Sequence, residues 1–228
     1  MHYGPDQIIA CPHCRALVKY ETLLSGNTFR RQLWTDGKSV SPMLPKPPPF
    51  VICHACRRGY WLADAREVGH VPNKWRPDSE ADEVDPRWRA APYVEEPAEA
   101  DYYAALASER FEFDPLLWLR ILAFQRRIDG LRDARTVDDT TPDPGGAEAI
   151  ASGASRDNLI ALRILMAAEA PPNVAQMTRG EVLRALGEFA QAEAVYDRLT
   201  TSHLRYSAAK LATLSRLGIA GVRLMSYE

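Results

Sequence analysis

The residues with the most specific chemistry in this chain are its four cysteines, which fall as two pairs, Cys11-Pro12-His13-Cys14 and Cys53-His54-Ala55-Cys56. A Cys-x-x-Cys segment can close a tight turn that aims both sulfurs, and nearby backbone N–H groups, at one point. Two such turns complete a tetrahedron of thiolates around a zinc ion, with Zn–S distances of about 2.3 Å. The 38 residues between the pairs exceed the commonest short spacing, and a hairpin followed by a proline-rich return accounts for the excess. Cys-Pro-His-Cys is also the pattern of a thiol–disulfide redox motif. That chemistry needs its first cysteine at a helix N-terminus, whereas Cys14 leads into the β-like run Leu17-Val18-Lys19-Tyr20. Two disulfides would need an oxidising compartment. Iron also fits an all-thiolate tetrahedron, and the ligand set alone does not choose between the metals. Because four sulfurs saturate the ion, His13 and His54 are expected to be non-ligands.

The elements that must position these sulfurs read as β and turn over residues 8–70. Ala16–Tyr20 and Tyr60-Trp61-Leu62 are strand candidates, the latter closing a three-stranded sheet. Phe29 to Val40 contains Thr35-Asp36-Gly37-Lys38, and Asp-Gly between two short runs is a strong hairpin signal. Pro42, Pro45 and Pro47-Pro48-Pro49 forbid helix and central strand there. The polar turns Ser25-Gly26-Asn27-Thr28 and Asp36-Gly37-Lys38 are accounted for by turn chemistry. A module this small buries little apolar surface, so metal binding is expected to hold it folded. Prolines at 72, 77, 86, 92 and 97 and the acid run Asp78–Asp85 then mark an acidic linker over residues 77–97, in which Trp88 and Tyr93, like Trp75 before it, argue against a wholly free chain.

From Ala98 the periodicity turns helical. Helices are expected over 98–110, from Asp114-Pro115 to about Gly130, over 155–170, 173–186, 188–199 and 203–217. A loop falls at 136–153, and the tail at 222–227 reads either as a strand or as a frayed end. The fold class that follows is α+β: a metal-stapled β domain over residues 1–76, the linker, and a domain of helical hairpins over 98–228.

The formal net charge of −2 hides an asymmetry: residues 1–76 carry +6, residues 77–148 carry −10 and residues 149–228 carry +2. The basic excess around the cysteines can compensate a dianionic centre of four thiolates and one divalent ion, and Arg15, Lys19, Arg57 and Arg58 are read that way first. It also opens an alternative, nucleic-acid binding through Arg30, Arg31, Lys38, Arg57 and Arg58, with Trp34 or Tyr60 offering faces for base stacking. No run approaches the roughly 18 apolar residues of a membrane span. The start lacks the basic-then-apolar pattern of a secretory signal, so a reducing, cytoplasmic home is expected. The Arg- and Ala-rich composition suggests a bacterial source. No phosphate loop, dinucleotide fingerprint, nucleophile elbow or His-rich metal set is present in the sequence, and His203 has no obvious acid or nucleophile partner, so the sequence offers no catalytic constellation.

The two cysteine pairs and the β pattern of residues 8–70 resemble the zinc-ribbon, or rubredoxin-like, modules of many nucleic-acid-binding and scaffold proteins. The chain departs from them by placing Arg15 and Arg57, not glycine, directly after the second cysteine of each pair. Residues 173–206 resemble one tetratricopeptide unit. Gly180 stands at the small position of its first helix, with Leu183 as the large residue beside it. Gly187, Phe189, Ala192 and Tyr196 match the turn glycine, the aromatic after it, the small packing residue and the second-helix aromatic. Leu199 stands where that family prefers alanine, and no repeat of about 34 residues recurs elsewhere. The resemblance implies a protein-interaction surface on the helical region. The expected protein is therefore a non-catalytic zinc-binding scaffold or adaptor, with a protein partner on its helices.

Overall fold

A computed structural model of the chain describes residues 1–73, 84–132, 137–141, 146–168, 173–199 and 201–227. In chain order the strands are β1 (His2–Tyr3), β2 (Asp6–Ala10), β3 (Leu17–Tyr20), β4 (Leu23–Ser25), β5 (Gln32–Trp34), β6 (Ser39–Val40), β7 (Phe50–Ile52), β8 (Gly59–Trp61), β9 (Arg66–Val71) and β10 (Leu224–Tyr227). The helices are α1 (Pro86–Ala90), α2 (Glu99–Ser108), α3 (Phe113–Asp129), α4 (Gly146–Ile150), α5 (Gly153–Ala168), α6 (Asn173–Ala185), α7 (Phe189–Asp197) and α8 (Ser202–Arg216). The class is α+β, as the sequence pattern implies. The chain forms two compact units, one of Met1–Arg30 with Ser41–Asp101 and one of Arg31–Val40 with Tyr102–Glu228.

In the first unit, β2 is the centre of an antiparallel sheet ordered β3-β2-β9. Ile8 and Ile9 point to opposite faces of a strand, and both are fully buried, so β2 is covered on both sides. The register pairs Ile9 with Val18 and Ala10 with Leu17, which carries the chain directly from β2 into the first cysteine turn and back out along β3. The second turn is framed in the same way by the antiparallel pair β7–β8. The strand expected at Tyr60-Trp61-Leu62 thus pairs with β7 and does not close the three-stranded sheet. That place is taken by β9.

The segment read as a linker is part of this unit where it is described. Asp85 caps α1 by accepting from the Arg87 N–H at 2.8 Å, with Pro86 at the first helical position. Trp88 lies so close to Gly69 that a Cβ there would meet its ring at 2.4 Å. The Lys19 N–H donates to the Pro92 carbonyl at 2.9 Å and the Val94 N–H to the Lys19 carbonyl at 2.8 Å, which lays residues 92–94 along the outer edge of β3. Prolines punctuate the segment, but its aromatic residues anchor it. Most of the acid run lies outside the described residues.

In the second unit α6 packs on α7 and α7 on α8, and α3 packs on α5. The expected helices are all present. The third helix begins at α3's Phe113, one residue ahead of the predicted cap Asp114, and α4 occupies part of the predicted loop. Gly180 approaches the Tyr196 ring so closely that a Cβ would stand 2.3 Å from it, which is why a small residue is required at that point of α6. The α6 helix ends in a Schellman motif: Gly187 takes a φ of 77°, and the Glu188 N–H returns to the Leu183 carbonyl at 2.9 Å. Among the described residues no helix is long and apolar enough to cross a membrane.

The Asp-Gly hairpin forms where expected, with Gly37 at a φ of 81° and β5 paired to β6, but it belongs to this second unit. Its strand β5 also pairs with the tail strand β10, aligning Trp34 with Leu224. The tail is therefore a strand. Trp34 is buried in one core with Phe124, Ile128, Leu159, Leu162 and Val182. Asp36, with a fully buried side chain, accepts two bonds from Arg132 at 3.0 and 2.8 Å. Residues 31–40 were expected within a domain ending at residue 76. They pack instead with the helices because their apolar tryptophan and buried carboxylate find partners there.

Candidate metal centre

The two cysteine turns have the same backbone design. In the first, the Arg15 N–H donates to the Cys11 carbonyl and the Cys11 N–H to the Ala16 carbonyl, both at 2.9 Å. In the second, the Arg57 N–H donates to the Cys53 carbonyl and the Cys53 N–H to the Arg58 carbonyl, again at 2.9 Å. Closing the chain so tightly forces the residue after the second cysteine into the left-handed region, at φ 64° for Arg15 and 61° for Arg57. Glycine is the residue that adopts this conformation without a Cβ penalty. The departure from the ribbon pattern noted in the sequence leaves the turn geometry intact.

All four sulfurs lie within 4.8 Å of one another. Cys11 Sγ is 3.9 Å from Cys56 Sγ, and Cys14 Sγ is 3.6 Å from Cys53 Sγ. A regular tetrahedron with metal–sulfur bonds of about 2.3 Å has edges of about 3.8 Å, so the sulfurs already stand near the spacing of a metal-bound set. A disulfide needs about 2.05 Å, and all four cysteines are free thiols. The donor set fits a single metal ion with every position filled by protein. Neither His13 nor His54 belongs to the cluster, as expected.

Cys11 and Cys53 are fully buried, Cys56 is half-buried and Cys14 is exposed. Beneath the sulfurs lies a small core of Ile9, Val18, Val51 and Tyr60. Burial is the main cause that pushes the Cys11 thiol up to about 12, against the N–H groups of Cys14 and His13, which favour the thiolate. A cation among the sulfurs supplies the charge that a buried thiolate otherwise lacks. Tyr60 is likewise held above the ordinary phenol range, first by burial and then by the four neighbouring sulfurs.

A side chain the sequence did not mark for this purpose joins the two turns. The His13 ring Nε2 lies 3.0 Å from the Gly59 carbonyl. A carbonyl only accepts, so Nε2 carries the hydrogen. The same ring meets Tyr60 edge-on, with centroids 6.4 Å apart. Nothing in a Cys-Pro-His-Cys string announces such a clasp, because its partner is 46 residues away.

The basic residues named as nucleic-acid contacts fall in both units. Arg30, Arg57 and Arg58 belong to the first unit, and Arg31 and Lys38 to the second. Lys38 Nζ lies 2.7 Å from both Asp129 oxygens, Arg31 Nε donates to Ser39 Oγ at 3.0 Å, and Arg57 reaches Asp101 at 3.4 Å. Both proposed stacking rings, Trp34 and Tyr60, are buried. Compared with protein-family models, with curated proteins and with solved structures, the chain matches none.

The left-handed arginines yield a stability prediction. A non-glycine residue in this region costs roughly 1–2 kcal/mol, and glycine gives back part of that through its freedom in the unfolded chain. Arg57→Gly is expected to stabilise the metal-loaded protein by about 0.5–1 kcal/mol, and Arg57→Val, branched at Cβ, to destabilise it. Thermal melts of the two variants should therefore shift in opposite directions from the parent. A common downward shift would show that the Arg57 side chain outweighs its backbone.

Proposed function

We propose that this protein is a zinc-binding scaffold or adaptor, in which a closed four-thiolate zinc site holds the first unit folded and the helical unit makes the protein contacts. The observation that carries the reading is the mutual approach of all four sulfurs within 4.8 Å. Such a site leaves no ligand position for substrate or water, which is the mark of a structural and not a catalytic ion. Zinc is proposed over iron because closed four-cysteine structural sites are its usual place, while the tetrahedron of sulfurs itself suits both metals. Free thiolates on this scale suit a reducing compartment such as the cytoplasm.

Support for a contact role comes from the tetratricopeptide-like packing of α6 against α7, where Gly180 admits Tyr196 and Gly187 makes the turn. Helical hairpins of that kind serve as partner surfaces. The nucleic-acid alternative has less to stand on, since Lys38 and Arg57 are engaged by carboxylates and both aromatic faces are buried.

Two measurements test the proposal. Elemental analysis of the natively produced protein is expected to find about one zinc per chain, and cobalt substitution to give the absorption of a tetrahedral all-sulfur site. No tightly held metal, or iron in its place, would overturn the zinc reading. Cross-linking in intact cells, followed by mass spectrometry, is expected to place a protein partner on residues of α5–α8. Cross-links confined to the chain itself would remove the adaptor role.

A further inference from the structure

The β5–β6 hairpin is bound to one unit by packing and to the other by covalent order. Trp34 fills the core beside Phe124 and Leu224, Thr35 exchanges bonds with Arg223 (N–H to carbonyl at 3.0 Å), and Asp36 is held by Arg132. Yet residues 31–40 stand between the two cysteine pairs of the metal centre. The chain leaves the first unit after Arg30, re-enters it at Ser41, and returns to the second unit only after Asp101.

From this connectivity we propose that docking of the hairpin into the helical unit depends on metal, the four-sulfur site acting as a device that holds the hairpin in the core around Trp34. The inference rests on the zinc reading above. The apolar cluster directly under the site is small. The core cluster under the site contains Ile9, Cys11, Val18, Val51, Cys53 and Tyr60, and two of those six residues are themselves ligands. With metal bound, the chain between the hairpin and the rest of the second unit is gathered into the folded first unit. Without metal the same stretch becomes a loop of about 60 residues. Replacing a folded connection by a free loop of about 60 residues lowers the effective concentration of the hairpin at its place in that core, on the order of tenfold, by loop-closure entropy. The coupling runs through the covalent junctions alone and requires no contact between the units. It is also reciprocal: whatever metal does for docking, docking does for metal affinity.

Hydrogen exchange on the full-length protein tests this. Metal content is measured first, and exchange is then followed with and without a strong zinc chelator. Removing zinc is expected to speed amide exchange in β5 and β10 roughly tenfold, while the interiors of α7 and α8 change less than twofold. Independently, Trp34→Ala, a residue remote in sequence from every ligand, is expected to weaken zinc affinity several-fold in competition with a chromophoric chelator. Zinc-loaded protein whose β5 and β10 exchange stays within twofold after chelation, or a Trp34→Ala chain with parental zinc affinity, overturns the coupling alone. Protein that holds no metal at the outset overturns the zinc reading, and this proposal with it.

Discussion

A Cys53→Ser chain is expected to lose its metal and, with it, the ordered sheets of the first unit, while the helices of the second remain. Cys53 is fully buried and belongs to the core under the site, so serine removes a thiolate and leaves a hydroxyl where apolar packing is needed. Structural zinc sites contribute on the order of 10–16 kcal/mol at neutral pH. A unit built from strands of two to six residues has no comparable term in reserve, because short strands with a small core are marginal by themselves. Elemental analysis should fall from about one zinc per chain to almost none, and hydrogen exchange should rise across β2, β3, β7 and β8. Cys14→Ser, at the exposed corner of the same site, should do less: weakened affinity with the fold kept at saturating zinc. Because burial raises the Cys11 thiol to about 12, loading the site near neutrality displaces its proton. Affinity is therefore expected to rise with pH and to fall in acid. If Cys53→Ser keeps stoichiometric zinc, or loses it with the sheets unchanged, the metal is not what holds this unit together.

What could be read in the sequence was what local chemistry decides. The four clustered cysteines announced themselves by residue type and spacing, and the helices by their period, with boundaries close to those found. The cap at α3 was misplaced by a residue or two because Phe113 starts the helix before the Asp-Pro pair. The hairpin at Asp36-Gly37 was legible as a turn, since Gly37 answers a backbone need. Its destination was not legible, because β5's partner β10 lies some 190 residues away and no local signal encodes so distant a pairing. Lys38 looked like a free cation for the same reason: Asp129, which holds it, is 91 residues distant. Residues 77–97 were read as a linker from prolines and acids, with Trp88 and Tyr93 as the signal that it is not wholly free. Trp88 over Gly69 and residues 92–94 along β3 overrode that composition. Arg15 and Arg57 were visible as a departure from glycine, and only the backbone angles showed that the turns accept them.

The second large effect is expected at Arg184, where Arg184→Met should destabilise the helical unit by about 3–5 kcal/mol. Arg184 is fully buried, and each of its five N–H groups has a partner. Nε and Nη2 donate to the two Glu181 oxygens at 3.1 and 2.6 Å, Nη1 to the carbonyls of Ile219 and Gly221 at 2.6 and 3.0 Å, and Nη2 again to Thr35 Oγ1 at 3.2 Å. Tyr196 donates to Glu181 Oε1 at 2.6 Å, and burial with the adjacent carboxylate keeps that hydroxyl protonated well beyond the ordinary phenol range. One side chain thus ties α6 to the hairpin and to the chain leading into β10. Methionine would fill much of the volume, so the loss would come from electrostatics: a Glu181 carboxylate left buried without its cation, and two carbonyls without donors. The sign of that argument can be tested with a second substitution. If the stranded carboxylate is the main cost, adding Glu181→Gln to Arg184→Met should recover a substantial part of the stability in urea denaturation, although Glu181→Gln alone destabilises. If the double variant is no better than Arg184→Met, the cost lies in the lost anchoring of Ile219 and Gly221, and exchange in β10 should then rise equally in both. A loss below about 1 kcal/mol for the single variant would mean that water enters and solvates Glu181, and that the buried network is not what joins the hairpin to the helices.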